Sequence, residues 1–212
     1  MRLYSLPAIL LCLGCAFNLS AQKTVTPDLS KITNTKMWST INRASSFKDG
    51  LFLGVGGREG LARFNELVFE NGKIELDIKG KDEQGKSFVG VAFHGLNDST
   101  YDAVYFRPFN FKNPERSNHS VQYISHPVFT WFKLRNEHPE QYEKTVAPVP
   151  SPNDWFHATI IIEFPVVKVY VNNSTEPSLT VNQLSSRKKG WIALWVGDGS
   201  DGNFKNLKVT SK

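Results

Sequence analysis

Short apolar segments that alternate with period two, separated by turn residues, are the feature that most constrains the fold. The clearest is Lys-Ile-Glu-Leu-Asp-Ile-Lys at residues 73–79, where three aliphatic residues alternate with charged ones. Such alternation predicts a strand with one buried face. Further strands are expected at 87–94, 101–107, 119–124, 191–196 and 204–210, and a hairpin at 155–164 and 166–172. Helical periodicity is nearly absent, and one short helix is expected within 131–142.

Strands with one apolar face must bury that face against another layer. The pattern from residue 38 to the C-terminus therefore predicts a single all-β domain, a sandwich of two antiparallel sheets. An aromatic content of 12% favours sheets over helices. The balance of 40% hydrophobic and 21% charged residues excludes an intrinsically disordered chain.

The first 21 residues have the organisation of a secretory signal peptide. Arg2 precedes an apolar run over 6–17, and Ala21 is a small residue before Gln22. The apolar run is too short to span a bilayer, so no transmembrane segment is expected. We therefore expect a secreted or periplasmic protein.

The expected domain organisation is a signal peptide over 1–21, an N-terminal extension over 22–37 and the β-sandwich over 38–212. An alternative processing route is also open. Leu-Gly-Cys, ending at Cys15, resembles a lipoprotein box, which would place a lipid anchor on that cysteine and hold the protein at the cell surface.

The charged residues indicate neither a nucleic-acid partner nor a metal. The net charge is +5, but the basic residues are scattered, and the one tight cluster, 187–189, precedes Gly190, where a turn would expose it to solvent. The five histidines lack metal-ligand spacing, and both cysteines lie in the leader. No metal and no cofactor is expected.

The 73–79 strand carries the predicted catalytic pair. Glu75, Asp77 and Lys79 are two residues apart and project from one face. Neighbouring carboxylates divide into acid and base roles, as glycosidases require. We therefore predict Glu75 and Asp77 as catalytic residues. The alternative is a solvent-facing strand whose charges prevent edge-to-edge aggregation.

The predicted binding residues come from two other strands. If the apolar residues of the strand before Arg107 face the core, Tyr105 and Arg107 point outward. There Arg107 would pair with Glu75 or Asp77, or donate to a sugar. Gln122 lies between two apolar residues of its strand and therefore points to the opposite face from them, which is the face of Tyr105 and Arg107.

Trp131 and Arg135 complete the predicted binding residues. They are four residues apart and would share one face of a helix. Exposed aromatic rings are surfaces on which sugar rings stack, although aromatic residues are more often part of a core. We place both at the rim of the predicted groove.

Six segments carry a resemblance to a known family: 104–107, 120–123, 153–155, 167–172, 190–195 and 202–209. The chain resembles the concanavalin A-like lectin/glucanase superfamily and, more narrowly, the 3-keto-disaccharide hydrolase-like exported domains of Bacteroidetes. The resemblance implies a concanavalin A-like jelly-roll sandwich whose concave sheet holds an oligosaccharide or polysaccharide. It assigns Arg107 and Gln122 to the polar positions of that sheet, and Glu75 and Asp77 to its acidic strand.

The acidic strand is also similar to the catalytic strand of glycoside hydrolase family 16. That strand ends on a third carboxylate, and Lys79 and Gly80 occupy its position here. The retaining mechanism of that family is therefore not expected.

The sequence thus predicts an exported, carbohydrate-active β-sandwich, a glycoside hydrolase-like domain acting on a saccharide in a groove. The alternative is a non-catalytic carbohydrate-binding or surface adhesion module. A third interpretation, an interaction domain with a merely soluble charged face, stays open, and the sequence does not decide whether the chain is an enzyme.

Overall fold

The computed structural model describes residues 22–212, so the predicted signal peptide and lipid anchor lie outside the described residues. The α-helix α1 is Trp131–Glu137, and short 3-10 helices span Leu29–Lys31, Pro108–Asn110 and Ser117–His119. The strands are β1 Lys23–Val25, β2 Trp38–Ile41, β3 Ser45–Phe47, β4 Leu51–Leu53, β5 Gly60–Phe69, β6 Gly72–Lys79, β7 Val89–Asn97, β8 Thr100–Phe106, β9 Val121–Ser125, β10 Glu143–Lys144, β11 Phe156–Glu163, β12 Val166–Val171, β13 Leu179–Asn182, β14 Gly190–Val196 and β15 Gly202–Ser211.

These strands form two antiparallel sheets. The eight-stranded sheet has the order β13-β12-β11-β6-β15-β4-β3, with β1 paired to β15. The seven-stranded sheet has the order β10-β9-β8-β7-β14-β5-β2. The predicted all-β sandwich is confirmed, and so is the β11–β12 hairpin, in which Glu163 pairs with Val166.

The main core lies between the two sheets. Ile74, Leu76 and Ile78 of β6 are fully buried there, and Val104 and Phe106 of β8 face them from the seven-stranded sheet. The inward faces predicted for both strands are therefore confirmed.

The seven-stranded sheet is also covered on its outer face, where a second apolar cluster lies. This outer cluster comprises Leu61, Ala92, Tyr101, Ala103, Tyr105, Ile124, Leu134, Ala193 and Trp195. Helix α1 contributes Leu134. Burial on both faces explains why β8 and β9 are almost continuously buried, whereas β6 alternates.

The N-terminal segment packs onto the sandwich. β1 pairs with the last strand, and Leu29 and Ile32 are part of the main core. Among the described residues, no helix is long and apolar enough to cross a membrane.

The buried carboxylate of Asp102 forms an ion pair with Arg187. Asp102 is fully buried and accepts hydrogen bonds from the Tyr123 hydroxyl (2.5 Å), Ser185 Oγ (2.7 Å) and Arg187 Nη2 (3.0 Å). The prediction that the 187–189 cluster is solvated is thus wrong for Arg187. A carboxylate that is buried away from water needs a positive charge beside it, and Arg187 supplies that charge.

We predict that Asp102→Ala lowers the free energy of unfolding by about 3–5 kcal/mol, because it leaves Arg187 and the Tyr123 hydroxyl without their buried partner. Urea denaturation followed by fluorescence measures the change. Asp98→Ala is the control, because Asp98 is 59% exposed and 3.9 Å from Arg63. Equal stabilities of the two variants would contradict the prediction.

Candidate functional site

A cluster of polar side chains lies on the outer face of the seven-stranded sheet. Tyr105 and Gln122 are register partners on β8 and β9, and Arg107 follows the end of β8. The Tyr105 hydroxyl donates to Gln122 Oε1 (2.7 Å) and accepts from Arg107 Nη2 (2.6 Å). Arg107 Nη2 also donates to Gln122 Oε1. The sequence therefore predicted correctly that these three side chains share a face.

Arg107 is held in one position on every side. It is 4% exposed, and its guanidinium carbon lies 4.8 Å from the centre of the Tyr105 ring and 5.7 Å from that of Phe88. Its Nη1 donates to the His119 carbonyl (2.9 Å). Burial raises the pKa of Tyr105 to about 12, so the phenol stays protonated and donates at neutral pH.

Glu143 is the negative charge of this cluster. It pairs with Gln122 through the short strand β10, which brings its carboxylate behind Arg107. Arg135 donates to both oxygens, from Nε to Oε1 (2.8 Å) and from Nη2 to Oε2 (2.6 Å). Arg107 Nη1 donates to Oε2 at 3.4 Å, and His119 Nδ1 lies 2.9 Å from Oε1 as a charge contact without an aligned hydrogen bond.

These cations decide the ionisation of Glu143, whose side chain is 2% exposed. Burial opposes the charged form and is the largest single influence. The hydrogen bond and charge of Arg135, with the charges of Arg107 and His119, nevertheless lower its pKa below the ordinary value of 4.5. Glu143 is thus a carboxylate at neutral pH, shared among two guanidinium groups and an imidazole.

Helix α1 brings Trp131 and Arg135 to the same place. Thr130 caps the helix by accepting from the Lys133 amide (3.3 Å), and the helix ends before Pro139, as predicted. The Arg135 guanidinium lies 5.3 Å from the centre of the Trp131 ring, and Trp131 remains 48% exposed. The prediction that these two side chains share a helix face is confirmed.

A cavity of about 370 Å³ opens on this cluster. Its lining residues are Gln84, Gly85, Phe88, Arg107, Phe109, Asn110, Arg116, His119, Trp131 and Arg135. We refer to it as the arginine pocket, because three of these residues are arginines. In the described part of the chain no group of three His, Cys, Asp or Glu side chains is placed to hold a metal ion.

Glu75 and Asp77 do not lie in this pocket. They project from β6 on the outer face of the eight-stranded sheet, so the main core separates them from Arg107. The two acids and Arg107 point away from each other, on the opposite outer faces of two sheets that lie about 10 Å apart. The expected pairing of Arg107 with Glu75 or Asp77 is therefore wrong, and Glu143 takes that place.

The two acids have local partners instead. Glu75 lies 2.9 Å from Lys73 Nζ and 3.7 Å from Lys208 Nζ. Asp77 Oδ1 lies 2.8 Å from His157 Nδ1, and Asn206 Nδ2 donates to its Oδ2 (2.6 Å). This arrangement matches the alternative interpretation of β6 as a strand with a charged outer face.

Sequence reasoning missed Glu143, which lies behind the pocket, and three polar residues that line it: His119, Asn110 and Arg116. Glu143 lies in a strand of two residues, which is too short for any periodic signal. The other three lie in or next to turns, where side chains do not alternate between two faces as they do in a strand. Only the pairing of β10 with β9 brings Glu143 to the arginines.

A second polar group lies elsewhere on the same face. Glu59 accepts from the Tyr101 hydroxyl and lies 3.1 Å from His126 Nε2. Trp195 Nε1 donates to the Tyr101 hydroxyl at 3.2 Å. Burial raises the pKa of Tyr101, so this phenol also remains a donor.

The pKa of Glu143 predicts a pH dependence of stability. Because its pKa is lowered on folding, its contribution is complete above pH 4.5 and is lost as the pH falls through the folded value. We expect Glu143→Gln to be about 3–5 kcal/mol less stable at pH 7, and to lose less stability than the wild type between pH 5 and about 3. Urea denaturation at each pH measures both effects.

The control is Glu137→Gln, which removes an exposed carboxylate that pairs with Lys133 on α1. It should change the stability at pH 7 by less than about 0.5 kcal/mol. Parallel pH profiles of Glu143→Gln and the wild type would contradict the assignment of Glu143.

Several solved structures with similar folds have low sequence identity to this chain. The carbohydrate-binding module CBM66 from Bacillus subtilis is 16% identical, with a TM-score of 0.58 over 82% of this chain and 96% of its own. A Bacillus subtilis protein of unknown function with a galectin-like fold is 15% identical, with a TM-score of 0.61 over 91% and 96%. The β-glucanase of Bacillus licheniformis is 14% identical, with a TM-score of 0.57 over 92% and 99%.

These similarities confirm the concanavalin A-like jelly-roll fold. No curated protein sequence matches the chain significantly. A family profile does match, over residues 28–210, which is most of the chain and includes the whole pocket. The chain therefore belongs to the family of 3-keto-alpha-glucoside-1,2-lyase-like domains.

Proposed function

We propose that this protein binds a saccharide in the arginine pocket. The observation that carries the proposal is a half-exposed Trp131 ring beside a buried and fixed set of hydrogen-bonding groups. The pocket volume of about 370 Å³ is within the range of small-ligand sites. The similar structures named as a carbohydrate-binding module and a β-glucanase support a carbohydrate ligand.

The site offers what a sugar ring needs. The exposed ring of Trp131 provides an apolar surface against which the C–H groups of a sugar can pack. Arg135 and His119 line the pocket next to it and present N–H groups to the hydroxyls. Because two hydrogen bonds to Glu143 fix Arg135, this side chain loses little conformational freedom on binding.

We expect Trp131→Ala to weaken oligosaccharide binding about tenfold or more, which is about 1.4 kcal/mol. Isothermal titration calorimetry measures the affinity, with the ligand chosen by screening a glycan array. Glu75→Gln and Asp77→Asn are the matched controls, because they alter the outer face of the other sheet, and both should bind as the wild type does. Loss of binding in these controls with full binding by Trp131→Ala would refute the placement of the site.

A second candidate function is elimination at a 3-keto-glucoside, the chemistry in the name of the family. It is favoured by the contact between His119 Nδ1 and Glu143 Oε1 at 2.9 Å. A proton on Nδ1 leaves Nε2 as an acceptor, and the carboxylate stabilises the imidazolium that forms. Histidine beside a buried carboxylate is an arrangement suited to a general base.

In this reaction His119 removes the proton on C2, which the neighbouring C3 carbonyl acidifies. The electron pair forms the C1=C2 double bond, the bond from C1 to the glycosidic oxygen breaks, and the departing oxygen takes up a proton. Negative charge develops on the carbonyl oxygen during the step. The guanidinium groups that line the pocket stabilise that charge.

We expect His119→Gln to slow release of the alcohol from a 3-keto-α-glucoside by about 10²–10⁴-fold, with binding changed only a few fold. Chromatography of the released alcohol measures the rate. His157→Gln is the control, because His157 pairs with Asp77 on the other sheet. Turnover by His119→Gln at the wild-type rate would exclude His119 as the base, and binding by the wild type without turnover would favour the binding module.

A further inference from the structure

We infer that the saccharide bound in the arginine pocket carries an anionic group, a carboxylate or a sulfate ester. This inference rests on the proposed function and specifies its ligand class. Arg107, Arg116 and Arg135 line the pocket, and its ten lining residues include no Asp or Glu. The wall that meets the ligand is therefore positively charged.

The charge of Glu143 does not neutralise this wall. Its single carboxylate faces two guanidinium groups, those of Arg107 and Arg135, and lies behind them with 2% of its side chain exposed. Arg116 adds a further positive charge, and within residues 22–212 no carboxylate lies within 4 Å of it. An excess of positive charge in the wall of a pocket favours an anionic ligand.

The donors that remain free are those suited to an anion. Arg107 uses both Nη groups within the protein, on His119, Glu143, Tyr105 and Gln122. Arg135 uses Nε and Nη2 on Glu143, which leaves Nη1 without a partner among the described residues. The guanidinium of exposed Arg116 is likewise unengaged in this part of the chain, and arginine forks bind carboxylate and sulfate well.

Asn110 provides an independent sign of a ligand with hydroxyl groups. It lines the pocket, is 3% exposed and donates through Nδ2 to the His119 carbonyl (3.1 Å). Its Oδ1 is buried and has no hydrogen-bond partner among the described residues. A buried acceptor without a donor is unfavourable, and a sugar hydroxyl would supply that donor if the Asn110 side chain turned toward the pocket. The pocket thus combines guanidinium groups that can donate to an anion with an oxygen that can accept from a hydroxyl group. Together these features indicate an acidic sugar.

The test begins with a glycan array that carries uronate-containing, sulfated and neutral oligosaccharides. The strongest ligand is then compared with its neutralised form, the methyl ester of a uronate or the desulfated sugar, by calorimetry at 20 mM and 500 mM NaCl. We expect the anionic form to bind at least tenfold more tightly at low salt, with a smaller advantage at high salt because the charges are screened. The array distinguishes carboxylate from sulfate.

Arg116→Gln should weaken binding of the anionic form at least fivefold more than binding of the neutral form. Lys168→Gln is the control, since it removes the same charge from an exposed position on β12. Equal affinities for the two forms, or equal losses of both in Arg116→Gln, would overturn the inference while leaving saccharide binding intact. Binding of no oligosaccharide at all would overturn both.

Discussion

The carboxylate of Glu143 is the group on which the pocket depends. A charge removed from water must be balanced within the protein, and here two guanidinium groups balance it, with the His119 imidazole in contact. These partners come from the end of β8, from a 3-10 helix and from α1, so a single carboxylate ties three separate segments to β10. The rigidity of the site follows from electrostatics as much as from packing.

The two sheets of the sandwich serve different purposes. The outer face of the eight-stranded sheet carries charged side chains with local partners, such as Glu75 with Lys73 and Asp77 with His157. The outer face of the seven-stranded sheet is covered by an apolar cluster that includes Tyr105 and Trp195. Fixed donors on an apolar floor suit a ligand site better than solvated ion pairs do, which favours this face over the other.

Much of the fold could be predicted from the sequence because the alternation of apolar and polar residues along a strand indicates which side chains are buried. The strict pattern of β6, the β11–β12 hairpin and the helix at Trp131 were all predicted, and Tyr105, Arg107 and Gln122 do share a face. The outer cluster was harder to foresee, because a strand buried on both faces shows no alternation. The sequence did not indicate the role of Glu143, since a strand of two residues is too short to show an alternating pattern.

The sequence by itself determined which side chains leave the core, because the side-chain period of a strand is two. It also determined that a sandwich must form, since alternating strands need a second layer. Which of the two outer faces each side chain reaches was decided only by the tertiary structure. Glu75 and Arg107 both point away from the core, yet β6 and β8 belong to different sheets, and sheet membership depends on pairing between strands far apart in the chain.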